Sequence, residues 1–357
     1  TPELWRQIPR MLLDPLSPLM LRWQYLHRIA PWLLRFLAAG RRKRVEQTAA
    51  EMAPLVTPAD KAHRALMKAH NIDGGLIRSG GVLKVFRDPR RLDATALERE
   101  LLARHGIEVD VLDADGIHQL EPGLAHSFQS GLLYRDETFV PEPLVFTRAY
   151  ADAFVSLGGR IQYETVRRFD MNADGPQKIV TDLGMHEVDR LVVAAGAWSR
   201  NIARMLGSDA PLDTERGYHL NVPWSDRITL NRPVFVVENY YYLCPMQDGV
   251  RVTSGAEFGG LDLPPDFRRI HRILQDARES LPGLDGEVTR EWMGYRPSMP
   301  DSKPIICQSP HFDRVFFAFG HGHLGLTLSA VTGEAISDLI ARRDSAIPLA
   351  PFHIDRF

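Results

Sequence analysis

Arg314-Val-Phe-Phe-Ala-Phe-Gly320-His-Gly-His-Leu-Gly325-Leu-Thr327 decides how this chain is read. An apolar, aromatic run meets glycines at 320, 322 and 325, and a helical pattern follows to Arg343. The segment matches G-x-G-x-x-G between a strand and a helix, the setting in which glycines let backbone N–H groups face a dinucleotide. Two facts keep it from opening an ordinary mononucleotide half. Only 32 residues follow Gly325, too few for a helix, a second strand and a second crossover, and Pro348 and Pro351 stand where an acidic strand end would fall. What survives is a glycine-lined helix N-terminus, whose dipole favours negative charge. It suits a phosphate or the electron-rich edge of a flavin as it is reduced. Glycines needed only for a tight strand–helix turn are the alternative reading.

Working back along the chain, Val192-Val-Ala-Ala-Gly-Ala-Trp-Ser199 puts small residues where a second strand meets a helix, so that backbone can approach a cofactor closely. Residues 190–195 predict a buried strand and 160–166 another, separated by a polar hairpin. Residues 143–157 carry a helical apolar face closed by Gly158-Gly159. Helix, strand, excursion, strand is the order of a parallel sheet. Residues 215–260 differ: 234–243 and 249–255 read as antiparallel strands about a turn at 245–249. A helix over 265–281 and strands over 287–295 and 304–307 follow. Upstream, 77–86 predicts a strand, 93–105 and 114–120 helices, and 44–69 helix broken by Pro54 and Pro58. The fold class is α/β with an interleaved α+β character. A Rossmann-like parallel part (131–207 and 312–345) alternates with an antiparallel part (65–130 and 208–311), behind a helical segment over 1–64.

Composition sets the outer limits. In 357 residues, 43 basic and 45 acidic side chains leave a net charge of −2, with 44% hydrophobic and 25% charged residues. This is an ordinary globular balance, which excludes a disordered chain and a strongly basic nucleic-acid binder. Two cysteines, Cys244 and Cys307, make no disulfide framework or zinc cluster, and a reducing, cytoplasmic setting is expected. The thirteen histidines are scattered, and His321 and His323 lack further ligands at metal spacing, so no metal site is expected. No uncharged apolar run reaches membrane-spanning length. Residues 1–50 nevertheless hold nine Arg/Lys against Glu3, Asp14 and Glu46, with apolar residues at loosely helical spacing and the cluster Arg41-Arg42-Lys43-Arg44 at their end. Two readings stay open there: a peripheral contact with an anionic membrane face, or a helix packed on its own body with a solvated basic side.

Gly294-Tyr-Arg-Pro-Ser-Met-Pro-Asp301 places Arg296 beside a proline-stiffened turn just ahead of the last strand, and an arginine fork is a natural grip for a carboxylate. Together with Glu164-Thr-Val166, Ala194-Ala-Gly-Ala-Trp-Ser199, Arg216-Gly-Tyr-His219, Asp301-Ser-Lys-Pro304 and the 320–327 loop, it makes the chain resemble the D-amino acid oxidase family of FAD-dependent oxidoreductases. The likeness runs to its bacterial D-amino acid dehydrogenases and their hydroxyproline-using relatives. Asp14-Pro-Leu-Ser-Pro18 and Trp32-Leu-Leu-Arg-Phe36 resemble the helical segment of those dehydrogenases. The resemblance implies that FAD is the cofactor and that an amino acid is the substrate. It places the family's FAD-binding βαβ unit, roughly 50–80 residues, upstream of Thr1.

Carried over by residue, it implies that Val166 meets the adenine end of FAD and that Ala195, Gly196 and Trp198 line the phosphate and ribose region. Gly320, His321, Gly322, His323, Leu324, Gly325, Leu326 and Thr327 would form the loop and helix start at the flavin ring. Arg296 would clamp the substrate carboxylate, with Tyr242 as a second contact and Tyr218 and His323 lining the pocket; Tyr240 shares the Tyr242 strand face. The chemistry implied is hydride transfer from the α-carbon to the flavin, with the protein supplying position and charge rather than a general base. Three readings follow: a D-amino acid dehydrogenase passing electrons to a quinone or other acceptor, an oxidase acting on glycine- or sarcosine-like amines with oxygen, and a non-catalytic chain.

Overall fold

The computed structural model describes residues 19–357, and the Asp14–Pro18 part of the resemblance lies outside the described residues. The largest sheet has ten strands. Its order runs Leu19–Leu21, Ala256–Phe258, Asp213–Val222, Gly249–Thr253, Tyr241–Met246, Val234–Val236, Val82–Phe86, Ser130–Tyr134 and Asp110–Asp113. Arg290–Ser298 pairs with the long Asp213–Val222 strand over nine residues, off that path. Alternation along Asp213–Val222 sends Leu220 and Val222 into the main core, under the amphipathic Arg268–Ser280 helix, whose Ile270, Ile273, Leu274 and Ala277 close it. The other residues of the row, Glu215, Gly217 and His219, face the opposite side. That side is where the site forms.

A second sheet has three strands. Leu191–Val193 runs parallel to Val315–Phe319, which pairs antiparallel with Ile305–Gln308. The latter was expected with the antiparallel part, but its apolar residues Ile305, Ile306 and Cys307 are buried here against the last helix and the 315–319 strand. That helix, Gly325–Ala341, buries one side, where Leu328, Val331, Ala335 and Ile336 meet Leu55, Ala59 and Ala62 of the helical segment, while Thr327, Ser329, Gly333, Glu334 and Ser337 are exposed. The segment Gly322–Ala341 is long and apolar enough to cross a membrane by composition alone, yet one side of it is core.

Several expectations need correction. Residues 160–165 are extended loop, and the strand begins at Val166, running as Val166–Asn172 into the meander with Gly175–Thr181 and Met185–Glu187. The 77–86 run splits into Arg78–Ser79 and Val82–Phe86, because Gly80 and Gly81 take positive φ and a Cβ at Gly81 would lie 2.7 Å from the Tyr134 carbonyl. Likewise 234–243 is cut by a turn at Tyr240, φ +53°. Pro54 sits inside the Arg42–Val56 helix rather than ending it, and Leu19–Leu21, expected helical, is a parallel strand on Ala256–Phe258. Val192, expected buried, is 38% exposed.

Candidate active site

The parallel strands Leu191–Val193 and Val315–Phe319 end side by side, and the 195–198 and 320–325 loops leave from their carboxyl ends. That is the crevice in which open parallel sheets bind ligands. Gly196, Gly320 and Gly322 all have positive φ, and a Cβ at Gly320 would sit 2.7 Å from Met299 Cγ. The loops therefore need glycine to turn sharply into their helices. Gly325 opens a helix of 17 residues, so its unsatisfied N–H groups point into the crevice.

Across this loop lies the open face of the long antiparallel pair. Arg296, Gly294 and Trp292 stand in one row opposite Glu215, Gly217 and His219. A Cβ at Gly217 would fall 2.4 Å from Arg296 Nη2, and one at Gly294 would fall 2.0 Å from the Trp292 ring. The arginine and the tryptophan thus lie flat over a two-glycine floor. The His219 ring stacks on Trp292 at 4.9 Å, and its Nε2 is buried without a hydrogen-bond partner. These residues, with Tyr218, Thr253, Tyr295, Pro297, Gly322, His323, Gly325 and Leu326, enclose a cavity of about 380 Å³. A neighbouring cavity of about 470 Å³ shares the His323 and Leu326 wall and continues along Thr327, His63, Tyr134 and Glu137.

Charge is unevenly satisfied in this cavity. Arg216 is fully buried and engaged: it donates to Glu257 Oε1 at 3.2 Å and to the carbonyls of Gly260 and Leu263 at 2.7 Å. No carboxylate among the described residues forms an ion pair with Arg296. Burial lowers its guanidinium from the ordinary value, opposed by Glu215 across the strands, and it remains a cation at neutral pH. A half-buried cation without an ion-pair partner favours an anion beside it. Burial, and then the Arg296 charge, push His323 down, so it is a neutral ring near the clamp. Burial takes His321 down to about 4, with Nε2 against Thr332 Oγ1 at 3.0 Å.

The sequence-predicted residues divide as follows. Arg296, Tyr218, His323, Gly322, Gly325 and Leu326 line the 380 Å³ cavity, and Thr327 lines its neighbour. Tyr218 contributes its backbone only, because its ring turns into the main core against Phe267, where its hydroxyl donates to Glu257 Oε1 at 3.0 Å and accepts from the Asp266 N–H at 3.1 Å. Tyr242 borders neither cavity. It packs on Phe235 at 4.6 Å, burial lifts its phenol to about 12, and its N–H donates to Thr253 Oγ1. Val166 is half-buried at the start of its strand; Ala195 and Gly196 edge the crevice, and Trp198, 52% exposed, meets Tyr295 edge-on at 5.6 Å. Gly320, His321 and Leu324 shape the loop from behind. Gly217, Gly294 and His219 were not assigned these roles from sequence. Only the cross-strand register shows that two glycines oppose each other under the clamp.

A family model described as DAO, FAD dependent oxidoreductase, matches residues 26–339. A D-amino-acid oxidase of Bradyrhizobium diazoefficiens is 30% identical over 361 residues, covering 100% of this chain and 85% of that protein. A D-amino acid dehydrogenase of Rhizobium rhizogenes is 30% identical over 349 residues, 96% of this chain and 82% of that one. Among solved structures, glycine oxidase from Geobacillus kaustophilus superposes with a TM-score of 0.78 at 24% identity, over 86% of this chain and 84% of the other. The chain belongs to the DAO family of FAD-dependent oxidoreductases.

Proposed function

We propose, from this membership, that the chain is an FAD-dependent amino-acid oxidoreductase that oxidises the CH–NH bond of a D-amino acid or a proline-like amino acid to the imine. The observation that carries the reading is the partnerless Arg296 guanidinium on its glycine floor, facing the N-terminus of the last helix. A monocarboxylate fits that cation, and the small floor leaves room for a flat ligand above it.

The residues present fit the cofactor. Gly196 has open space where a Cβ would stand, Gly322 and Gly325 line the cavity, and the orphaned His219 Nε2 lies in its floor. Ala195, Gly196 and Trp198 would hold the phosphate and ribose region, and Gly322 to Thr327 the flavin ring. Bound FAD supplies the two-electron acceptor for the hydride. The chain's own part is to hold and orient. Arg296 fixes the carboxylate, which sets where the α-carbon points, and burial around it makes each charge contact stronger than in water. The neutral His323 adds no positive charge that would compete for the carboxylate. The amine reacts in its neutral form, and the imine hydrolyses in water to a 2-oxo acid and ammonia, or stays cyclic when the substrate is proline-like.

The test is anaerobic bleaching of the flavin-loaded protein by a panel of D-amino acids, D-hydroxyproline, glycine, sarcosine and L-enantiomers. Bleaching by D-substrates supports the reading, and bleaching by L-enantiomers alone overturns it. Arg296→Lys should then lower kcat/KM by about 10- to 100-fold, mainly through KM, since it leaves carboxylate oxygens unpaired. The oxidase relative favours a second reading for the acceptor: stoichiometric peroxide under air supports oxygen, and its absence with rapid dye or quinone reduction supports a dehydrogenase.

A further inference from the structure

We propose that the outer side of the Leu26–Ala39 helix, with the basic turn after it, docks on a bilayer surface rich in anionic phospholipid. Between Leu19 and Val45 the sequence carries Arg22, Arg28, Arg35, Arg41, Arg42, Lys43 and Arg44 and no Asp or Glu. The structure separates this segment into two sides. Ile29 and Trp32 are buried, and the Trp32 ring stacks on Phe36 at 5.2 Å and meets Phe258 at 5.3 Å. Trp32 Nε1 donates to the Ser298 carbonyl at 3.2 Å, which ties the helix to the strand that bears Arg296. Packing on the body accounts for that side completely.

It does not account for the other side. Trp23, His27, Arg28, Pro31, Leu34, Arg35 and Ala38 recur at helical spacing and are all exposed, Trp23 and Leu34 at 69% each. An outward Trp and Leu interleaved with arginines is the composition of a helix lying in the headgroup plane, where the ring and the aliphatic chain enter the acyl boundary and the guanidiniums meet phosphate. Where the helix ends, a cavity of about 670 Å³ opens between it and the Arg42–Val56 helix, lined by Arg35, Arg41 and Arg44 with Lys303 and Arg356 beneath. Its acids are already matched: Glu51 accepts from Lys303 at 2.6 Å and Asp301 from Arg356 at 2.8 Å. Arg35 and Arg41 have no acidic partner among the described residues. The surface is therefore apolar at its centre and cationic around it, complementary to an anionic leaflet. A second copy would bring cations against cations.

The test is co-sedimentation of the whole chain with phosphatidylcholine vesicles and with vesicles containing about a third phosphatidylglycerol, across a salt series. Juxtamembrane cations contribute about 1 kcal/mol each, or about fivefold in partitioning. Neutralising Arg35, Arg41 and Arg44 together to Gln should thus lower partitioning onto anionic vesicles about 100-fold, and Trp23→Ser with Leu34→Ser should lower it further. Binding of the unsubstituted chain should weaken steeply with salt. That salt series tests the idea even where a variant fails to fold. Equal binding to neutral vesicles, no loss in the triple variant, or loss of vesicle binding to millimolar inorganic phosphate would each overturn the proposal. So would tighter retention on duplex DNA than on anionic vesicles.

Discussion

Replacing Gly217 by Ala adds one methyl group to a strand, and the structure makes a sharp statement about where it goes. The new Cβ would lie 2.4 Å from Arg296 Nη2, 2.6 Å from Cζ and 3.0 Å from Nε. Ordinary contact between such atoms needs about 3.5 Å, so the guanidinium has to lift by about 1 Å. A misplacement of about 1 Å at a positioning group costs about 100-fold in rate, close to 2.7 kcal/mol of transition-state stabilisation. The backbone itself gains from the change, because Gly in a strand is destabilising relative to Ala by about 0.5–1 kcal/mol. Gly217→Ala should therefore keep its melting temperature while kcat/KM for a carboxylate substrate falls about 100-fold. Steady-state kinetics of Gly217→Ala, Arg296→Ala and the double variant closes the argument. With Arg296 gone, the methyl group has nothing to displace, so the Gly217→Ala penalty should vanish. A Gly217→Ala enzyme within threefold of wild type, or penalties that simply add, would refute it.

Other consequences are open to direct measurement. Arg216→Met leaves the buried Glu257 with only the longer Arg22 contact at 3.9 Å and strips the Gly260 and Leu263 carbonyls of their donor, and should lower stability by about 3 kcal/mol, read from the urea midpoint. Gly320→Ala forces an L side chain to φ +82° against Met299 Cγ and should cost about 1–3 kcal/mol in the same assay, with loss of flavin retention. Burial holds His321 down to about 4, and burial with Arg251 and Arg290 does the same for His219. Between about pH 6.5 and 4 the unfolded chain binds protons that these folded rings refuse, so their contribution is complete above that window and is lost as pH falls through it. His321→Gln, which keeps the Thr332 contact, should flatten the decline in stability from pH 7 to 4.5 by up to about 3 kcal/mol; an unchanged slope would show that the ring is not held neutral.

Much of this molecule was legible because it depends on local rules. The strand–glycine–helix turn at 315–325, the helix over Ala114–Leu120 and the small-residue turn at 194–199 each follow from neighbouring residues. What escaped depends on partners distant in sequence. Residues 160–164 have strand composition but pair with no strand among the described residues, and Leu19–Leu21 becomes a strand only because Ala256–Phe258 lies alongside. Tyr218 looked free in the sequence, while its hydroxyl answers a buried Glu257 that lies 39 residues away. The meaning of Gly217 rests on its register against Gly294, which no local pattern carries.

Ser298 gathers three connections in one residue. Its carbonyl receives the Trp32 indole, its backbone bridges His321, and its strand bears the clamp two residues earlier. The distance between clamp and glycine loop is thus written in main-chain atoms, like a fixed jaw in a gauge. Side-chain replacements elsewhere around the two cavities, at Thr253, Tyr134 or Glu137, can alter which amino acid is gripped without resetting that jaw. A lineage built on this frame is free to change its diet while keeping its chemistry.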